Sequence, residues 1–318
     1  MNNKLSLVIP CYNEELIINN TVQEVLIHLN ELISSGRVSP ESNILLVDDG
    51  STDKTWDRIT ALCKKHLAVR GIKLSRNSGH QTALLAGLMQ AKDKCDVTIS
   101  LDADLQDDIS VLKDFMDEYN SGSDIVYGVR SDRSSDTLFK RASAEFFYRI
   151  LSFLGVKSIF NHADYRLMSK RSLDVLSQYK ETNLYLRGII PLIGFKHSIV
   201  LYKRKPTERP THYPFFKMLQ LAMDGVTSFS IKPLRFIFSL GILMFFISLI
   251  LLGYAGYVKL YGNTVPGWTS LMFTVLFLGG IQLFCVGIVG EYIGKIYSEV
   301  KQRPRYVIEE DTYFDSIK

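Results

Sequence analysis

The chain has 318 residues, a formal net charge of +4 and hydrophobic residues at 47% of positions. So slight a basic excess leaves no electrostatic footprint for nucleic acid, and no nucleic-acid partner is expected. The scattered cysteines (Cys11, Cys63, Cys95, Cys285) form no CxxC pair and the histidines no HxxxH spacing, which removes disulfide frameworks, structural zinc and the zinc-hydrolase pattern.

The first run, LSLVIP (residues 5–10), reads as a strand and is too short for a secretory apolar core. EELIINNTVQEVLIHLNELI (14–33) follows with apolar residues at helical spacing. NILLVDDG (43–50), GIKLSRN (71–77), DVTISLDAD (96–104) and DIVYGVR (124–130) read as further strands, with a short helix, HQTALLAGLMQA (80–91), after the third run. This alternation predicts an α/β fold with a mostly parallel sheet, whose ligands sit outside the carboxyl ends of the strands. PCYNEE (10–15), DDGSTD (48–53), SRNSGH (75–80), DADLQDD (102–108) and GVRSDR (128–133) all fall at such ends. Five polar clusters thus converge on one sheet edge.

The C-terminal third is different. In PFFKMLQLAMDGVTSFSIKPL (214–234), Phe215, Met218, Leu219, Ala222 and Val226 share one helical face, a pattern common to surface and interfacial helices. Phe236 to Val258 and Leu260 to Gly290 then carry no charged residue. Each exceeds the ~20 apolar residues a bilayer crossing needs. KLYGNTVPGW (259–268) supplies turn signals between them and Trp268 for the interfacial belt. Basic residues cluster outside the pair, at Lys232, Arg235, Lys295, Lys301, Arg303 and Arg305, against Lys259 alone between the spans. The positive-inside rule then places both flanks in the cytoplasm. The expected organisation is a cytoplasmic domain (1–212), an amphipathic juxtamembrane helix (213–232), a two-helix transmembrane hairpin (233–294, spans about 235–258 and 268–292) and a basic cytoplasmic tail (295–318). Small residues in the second span permit close helix packing, and with it a homo-oligomer.

The acids carry the chemistry. Asp102 and Asp104, spaced i, i+2 after a strand, point the same way and repel unless a cation lies between them. Oxygen ligands favour a hard cation such as Mg²⁺ or Mn²⁺, and the cation in turn would neutralise a departing diphosphate. No GxGxxG accompanies the acids of DDGSTD, so a nicotinamide enzyme is not indicated. A haloacid-dehalogenase-type DxD is followed by x and then Thr or Val, where this chain has Gln106.

VIPCYNEE, VDDGSTD and DADLQDD, in this order, resemble the family 2 glycosyltransferases with a GT-A nucleotide-sugar domain. With NHADYRLMSK, AMDGVTSFSIKPL and the hairpin, the chain resembles the polyprenyl-phosphate glycosyltransferases over nearly its whole length. That resemblance implies a UDP-sugar donor (glucose or N-acetylglucosamine), an undecaprenyl or other polyprenyl phosphate acceptor and inversion at the anomeric carbon. A flippase and an extracytoplasmic glycosyltransferase are implied downstream. Residue by residue, it implies Pro10, Tyr12, Glu14, Asp49, Asn77 and Asp102 around the nucleotide sugar and Asp104 and Gln106 on the metal. It implies Arg130, Arg133, Arg141 and Arg166 at phosphates, Arg130 and Arg133 also near the chemistry, and Asp164 as the catalytic acid residue. A phosphate acceptor is already ionised near neutral pH, so Asp164 has more to orient than to abstract.

Two departures bear on the donor: His162-Ala163 replaces the Thr-Gly usual before the catalytic Asp, and Arg209 stands where Gly is usual. The alternatives are a processive polysaccharide synthase, for which QRPRY (302–306) is a near-match lacking the Trp, and a non-catalytic membrane scaffold.

Overall fold

The computed structural model describes residues 3–131, 162–181, 185–203, 232–261 and 267–313. The described residues up to 203 together with 302–313 belong to one compact unit, and the two long C-terminal helices belong to a second. Arg133, Arg141, Arg209 and the expected juxtamembrane helix before Lys232 lie outside the described residues.

Among the described residues, the first unit is built on one eight-stranded sheet. Its strands are β1 (Leu5–Cys11), β2 (Asn43–Asp48), β3 (Val69–Leu74), β4 (Val97–Ser100), β5 (Ile125–Arg130), β6 (His162–Ser169), β7 (His197–Tyr202) and β8 (Ile308–Asp311). They lie in the order β7-β5-β6-β4-β1-β2-β3-β8. The centre, β4-β1-β2-β3, is wholly parallel. β6 enters antiparallel between β4 and β5, and β7 runs parallel to β5.

The helices explain why β1 and β2 are apolar on both faces, as a covered parallel sheet requires. Leu5, Leu7, Ile9, Ile44 and Leu46 share a core with Ile18, Val22, Val25 and Leu29 of α1 (Ile18–Ser34), and Ile59 of α2 (Thr55–Lys65) joins it. On the opposite face, α3 (His80–Lys92) lies so close that a Cβ on Gly87 would come within 2.4 Å of Val8 and 2.7 Å of Val47. Between β4 and β5 runs α4 (Leu112–Asn120), and after β6 come α5 (Lys170–Leu176) and the short α6 (Leu186–Ile189).

The sequence reading contained neither α2 nor α4, nor the last three strands. β8 is the largest surprise, since 295–318 read as a basic tail. Residues 295–300 are helical, and 308–311 pair antiparallel with β3. Thr312 N–H donates to the Gly71 carbonyl (3.0 Å) and Gly71 N–H to Thr312 Oγ1 (2.8 Å). Lys73 bridges Glu309 and Glu310, and Lys94 Nζ sits 3.5 Å from the centroid of the Tyr313 ring.

In the second unit, α7 (Lys232–Tyr261) and α8 (Trp268–Val300) are long enough, at about 1.5 Å per residue, to cover ~45 and ~50 Å. Their large apolar side chains face outward, Phe238 and Leu283 being 70% and 75% exposed. By length and composition, Phe277–Val300 can cross a membrane, with mean hydropathy 1.5. An apolar surface of this kind is sustained by lipid rather than by water.

Ending the chain after Tyr306 should lower the apparent melting temperature of the detergent-solubilised protein by roughly 5 °C or more, because β8 and the Tyr313 contact vanish together. An unchanged melting curve would show that β8 is not part of the cooperative fold.

Candidate active site

The carboxyl ends of β1, β2 and β4 and the N-terminus of α3 enclose a cavity of about 470 Å³. The loops that follow β2 and β3 are locked together. Gly50, at φ +64°, follows β2, and a Cβ there would come within 2.4 Å of the Arg76 backbone, so only glycine lets the two loops touch. Asp49 beside it accepts the amides of Ser78 (2.8 Å) and Gly79 (2.9 Å), which fixes Asn77 and Gly79 on the cavity wall. Burial nevertheless holds the Asp49 carboxyl above its usual range, against those two amide hydrogen bonds.

The DADLQ turn is held from both sides. Leu105 has φ +45°, a left-handed conformation that costs a bulky residue roughly 1–3 kcal/mol. Its side chain is buried in the core cluster, and Thr21 of α1 donates to the Ala103 carbonyl at 2.7 Å. The turn thereby brings Asp104 and Gln106 together: Gln106 N–H donates to Asp104 Oδ1 (3.3 Å) and its Nε2 to Oδ2 (2.6 Å).

Asp102 and Asp104 both line the cavity. Desolvation pushes the Asp102 carboxyl up to about 6; His80 opposes that rise, while Asp107, Asp164 and Asp104 add to it. This crowding of negative charge is what a divalent cation relieves. No group of three His, Cys, Asp or Glu side chains among the described residues is arranged to hold a metal alone. A partial oxygen set still fits Mg²⁺ or Mn²⁺, which nucleotide sites bind through one or two carboxylates plus substrate phosphates.

Asp164 reaches the same cavity from β6. The Ser100 hydroxyl of β4 donates to its carbonyl, tying the antiparallel neighbour in place. Its carboxylate is 7% exposed and faces two guanidinium groups. Arg166 donates to Oδ1, and Arg187 of α6 makes a fork, Nε to Oδ1 (3.2 Å) and Nη2 to Oδ2 (3.0 Å). Burial works against ionisation, but Arg166 and Arg187 hold the Asp164 carboxyl well below the usual carboxylate range. An acid so held is a poor proton acceptor and a good electrostatic anchor.

Of the residues expected at the site, Pro10, Tyr12, Glu14, Asp49, Asn77, Asp102, Asp104 and Asp164 share the cavity lining. Gln106 touches it through Asp104. Arg130 stands outside the lining, its Nε donating to Tyr202 at 3.3 Å and its Nη2 3.5 Å from Asp107. Arg166, expected at an acceptor phosphate, is 1% exposed and lies behind Asp164 instead. His80 and Arg187 are among the lining residues that had not been singled out. His80 puts Nε2 3.6 Å from Asp102 and 3.7 Å from Asp164, and Arg187 presents its guanidinium to the cavity. His80 belonged to a recognised polar cluster, whereas Arg187, in the plain stretch LRGI, carried no signal.

The family described as glycosyl transferase family 2 matches residues 6–177, and the GtrB C-terminal hairpin matches residues 232–296. The chain is 51% identical to the uncharacterized glycosyltransferase YkoT of Bacillus subtilis, with 98% of this chain and 93% of that protein covered. It is 38% identical to the prophage bactoprenol glucosyl transferase homolog of Escherichia coli, over 96% of this chain and 98% of that one. With the bactoprenol glucosyl transferase of Shigella phage SfII the identity is 36%, over 96% and 97%.

Removing one guanidinium tests the Asp164 anchor. Arg187→Gln should cost roughly 2 kcal/mol near pH 7 through the lost charged hydrogen bonds. A depressed folded-state pKa stabilises above the unfolded value of about 4, and that contribution is lost as pH falls below it. Thermal melts between neutral and acid pH should therefore show the gap between wild type and variant closing on acidification. A gap independent of pH would place the Arg187 contribution elsewhere.

Proposed function

The chain belongs to glycosyltransferase family 2 and carries the GtrB C-terminal hairpin, and from that premise we propose that it transfers a hexose from a UDP-sugar to a polyprenyl phosphate. The observation that carries this reading is the convergence of Asp49, Asn77, Asp102, Asp104 and Asp164 on one cavity at the strand tips. The relatives named as bactoprenol glucosyl transferases, similar over nearly their full length, support the lipid acceptor. UDP-glucose and UDP-N-acetylglucosamine are the two donors proposed.

In this reading Tyr12, Asp49 and Asn77 seat the nucleoside, and Asp102, Asp104 and Gln106 face its diphosphate. Mg²⁺ or Mn²⁺ bound at Asp104 and Gln106 would supply charge neutralisation of the departing UDP. An oxygen of the acceptor phosphate attacks the anomeric carbon from the face opposite UDP, the bond to the diphosphate oxygen breaks, and the configuration inverts. No strong base is called for, because the attacking oxygen is already anionic. Asp164, fixed by Arg166 and Arg187, sets the position and field of the attacking end, while Arg187 offers a cation at the cavity wall. The planar guanidinium forks of Arg130, Arg133 and Arg141 are proposed for the acceptor phosphate.

The membrane reading fits the same chemistry, since a polyprenyl phosphate presents its headgroup only at a bilayer surface. We read α7 and α8 as the two spans of a hairpin, with the catalytic unit and chain end on the cytoplasmic face. The lipid-linked sugar then passes to a flippase and a transferase beyond the membrane.

Purified protein, undecaprenyl phosphate, Mg²⁺ or Mn²⁺ and each labelled UDP-sugar in turn make the test. One donor should yield a mild-acid-labile labelled lipid, and Asp104→Ala or chelation of the cation should reduce the rate at least ~100-fold. An aqueous polymer as product would identify a processive synthase. Nucleotide binding without any product would identify a scaffold.

A further inference from the structure

A second cavity, of about 490 Å³, lies away from the strand tips, among α3, the end of α5 and residues 302–306. Its inner wall is apolar: Leu85 and Leu176 are buried and Met89 half-buried. Its outer lining is cationic, with Lys180 and Arg303 exposed and Arg305 half-buried. No acidic residue is among the described residues that line it. Arg305 is held in place by donating from Nη2 to the Tyr179 carbonyl at 2.6 Å. Gln302, at φ +48°, turns the chain into this wall immediately after the end of α8.

An apolar floor under three cations is a complement to an amphiphile with an anionic head. Chain connectivity says where such a ligand comes from. Arg303 is three residues beyond Val300, the last residue of the helical segment that can cross a membrane by length and composition, and so within about 10 Å of the end of α8 even in a fully extended chain. That is roughly one Debye length at physiological salt, so these cations feel a charged membrane surface if α8 ends at one. The Arg303–Tyr306 segment also leads directly into β8, which fixes it to the sheet rather than leaving it as a loose basic tail.

We propose that this cavity binds the phosphate headgroup of an anionic phospholipid, with Lys180, Arg303 and Arg305 on the phosphate and Leu85, Met89 and Leu176 beneath the first carbons of the lipid. The site is separate from the strand-tip cavity. It rests on the membrane attachment of α8 and not on the transfer reaction, so its test reads lipid binding alone.

The full chain, purified in detergent, is titrated with phosphatidylglycerol or phosphatidylcholine and the bound lipid counted by native mass spectrometry. Phosphatidylglycerol should bind roughly tenfold or more tightly than phosphatidylcholine, and the pair Lys180→Gln and Arg303→Gln should weaken it about 25-fold, fivefold for each charge lost. Phosphatidylcholine binding should not change. Both substituted residues are exposed, and the wild-type comparison of the two lipids needs no variant at all. Equal affinity for the two lipids overturns the proposal, as does unchanged phosphatidylglycerol binding in the double variant. Displacement of the lipid by millimolar inorganic phosphate would assign the cavity to a free anion and overturn the lipid identity.

Discussion

The burial of one carboxylate, Asp164, organises the candidate active site. An isolated ionised group cannot be taken out of water at so little exposure without a matching charge. The chain supplies two, from its own strand and from α6, and a seryl hydroxyl from the neighbouring strand fixes the backbone beneath it. This requires β6 to enter antiparallel between β4 and β5, because only that register sets residue 166 against Ser100 and leaves Asp164 at the sheet edge. The mixed topology of the sheet and the electrostatics of the cavity are therefore one arrangement.

Acids crowd this edge, and each is compensated differently. Asp49 is held by backbone amides, Asp164 by guanidinium groups and Asp104 by the amide of Gln106. Asp102 has the His80 ring at 3.6 Å, and its carboxyl is pushed up to about 6 by desolvation and its acidic neighbours. The imbalance falls on the side of the cavity where a cation and a diphosphate are proposed. Nucleotide chemistry there would exploit a charge the fold leaves only partly answered, which is how functional sites commonly depart from the rules that govern the rest of a structure.

Much of this was legible in the chain, because central parallel strands are continuous apolar runs and their tips change abruptly to polar residues. Leu5 to Pro10 and Asn43 to Asp48 announce themselves in that way. The elements that escaped are those whose stability comes from partners distant in sequence. HADYRLMS carries a buried Arg and Asp in a strand, and its polarity makes sense only once Asp164 has met Arg187. IEED at β8 is acidic because it caps an edge and answers Lys73, a pairing across more than two hundred residues. Arg187 itself, in a single helical turn, leaves no periodic trace.

The position of β8 has a consequence for how the protein is made. One edge strand of the first unit, β8, is encoded after both long helices, so a ribosome completes the sheet only once residues 232–300 have been synthesised. Until then the outer edge of β3 presents unpaired backbone groups, the kind of edge that recruits another chain. The first unit thus lacks β8 until the residues beyond the apolar segment have emerged. A nascent chain arrested before Ile308 exposes that edge, and β8 closes it once made.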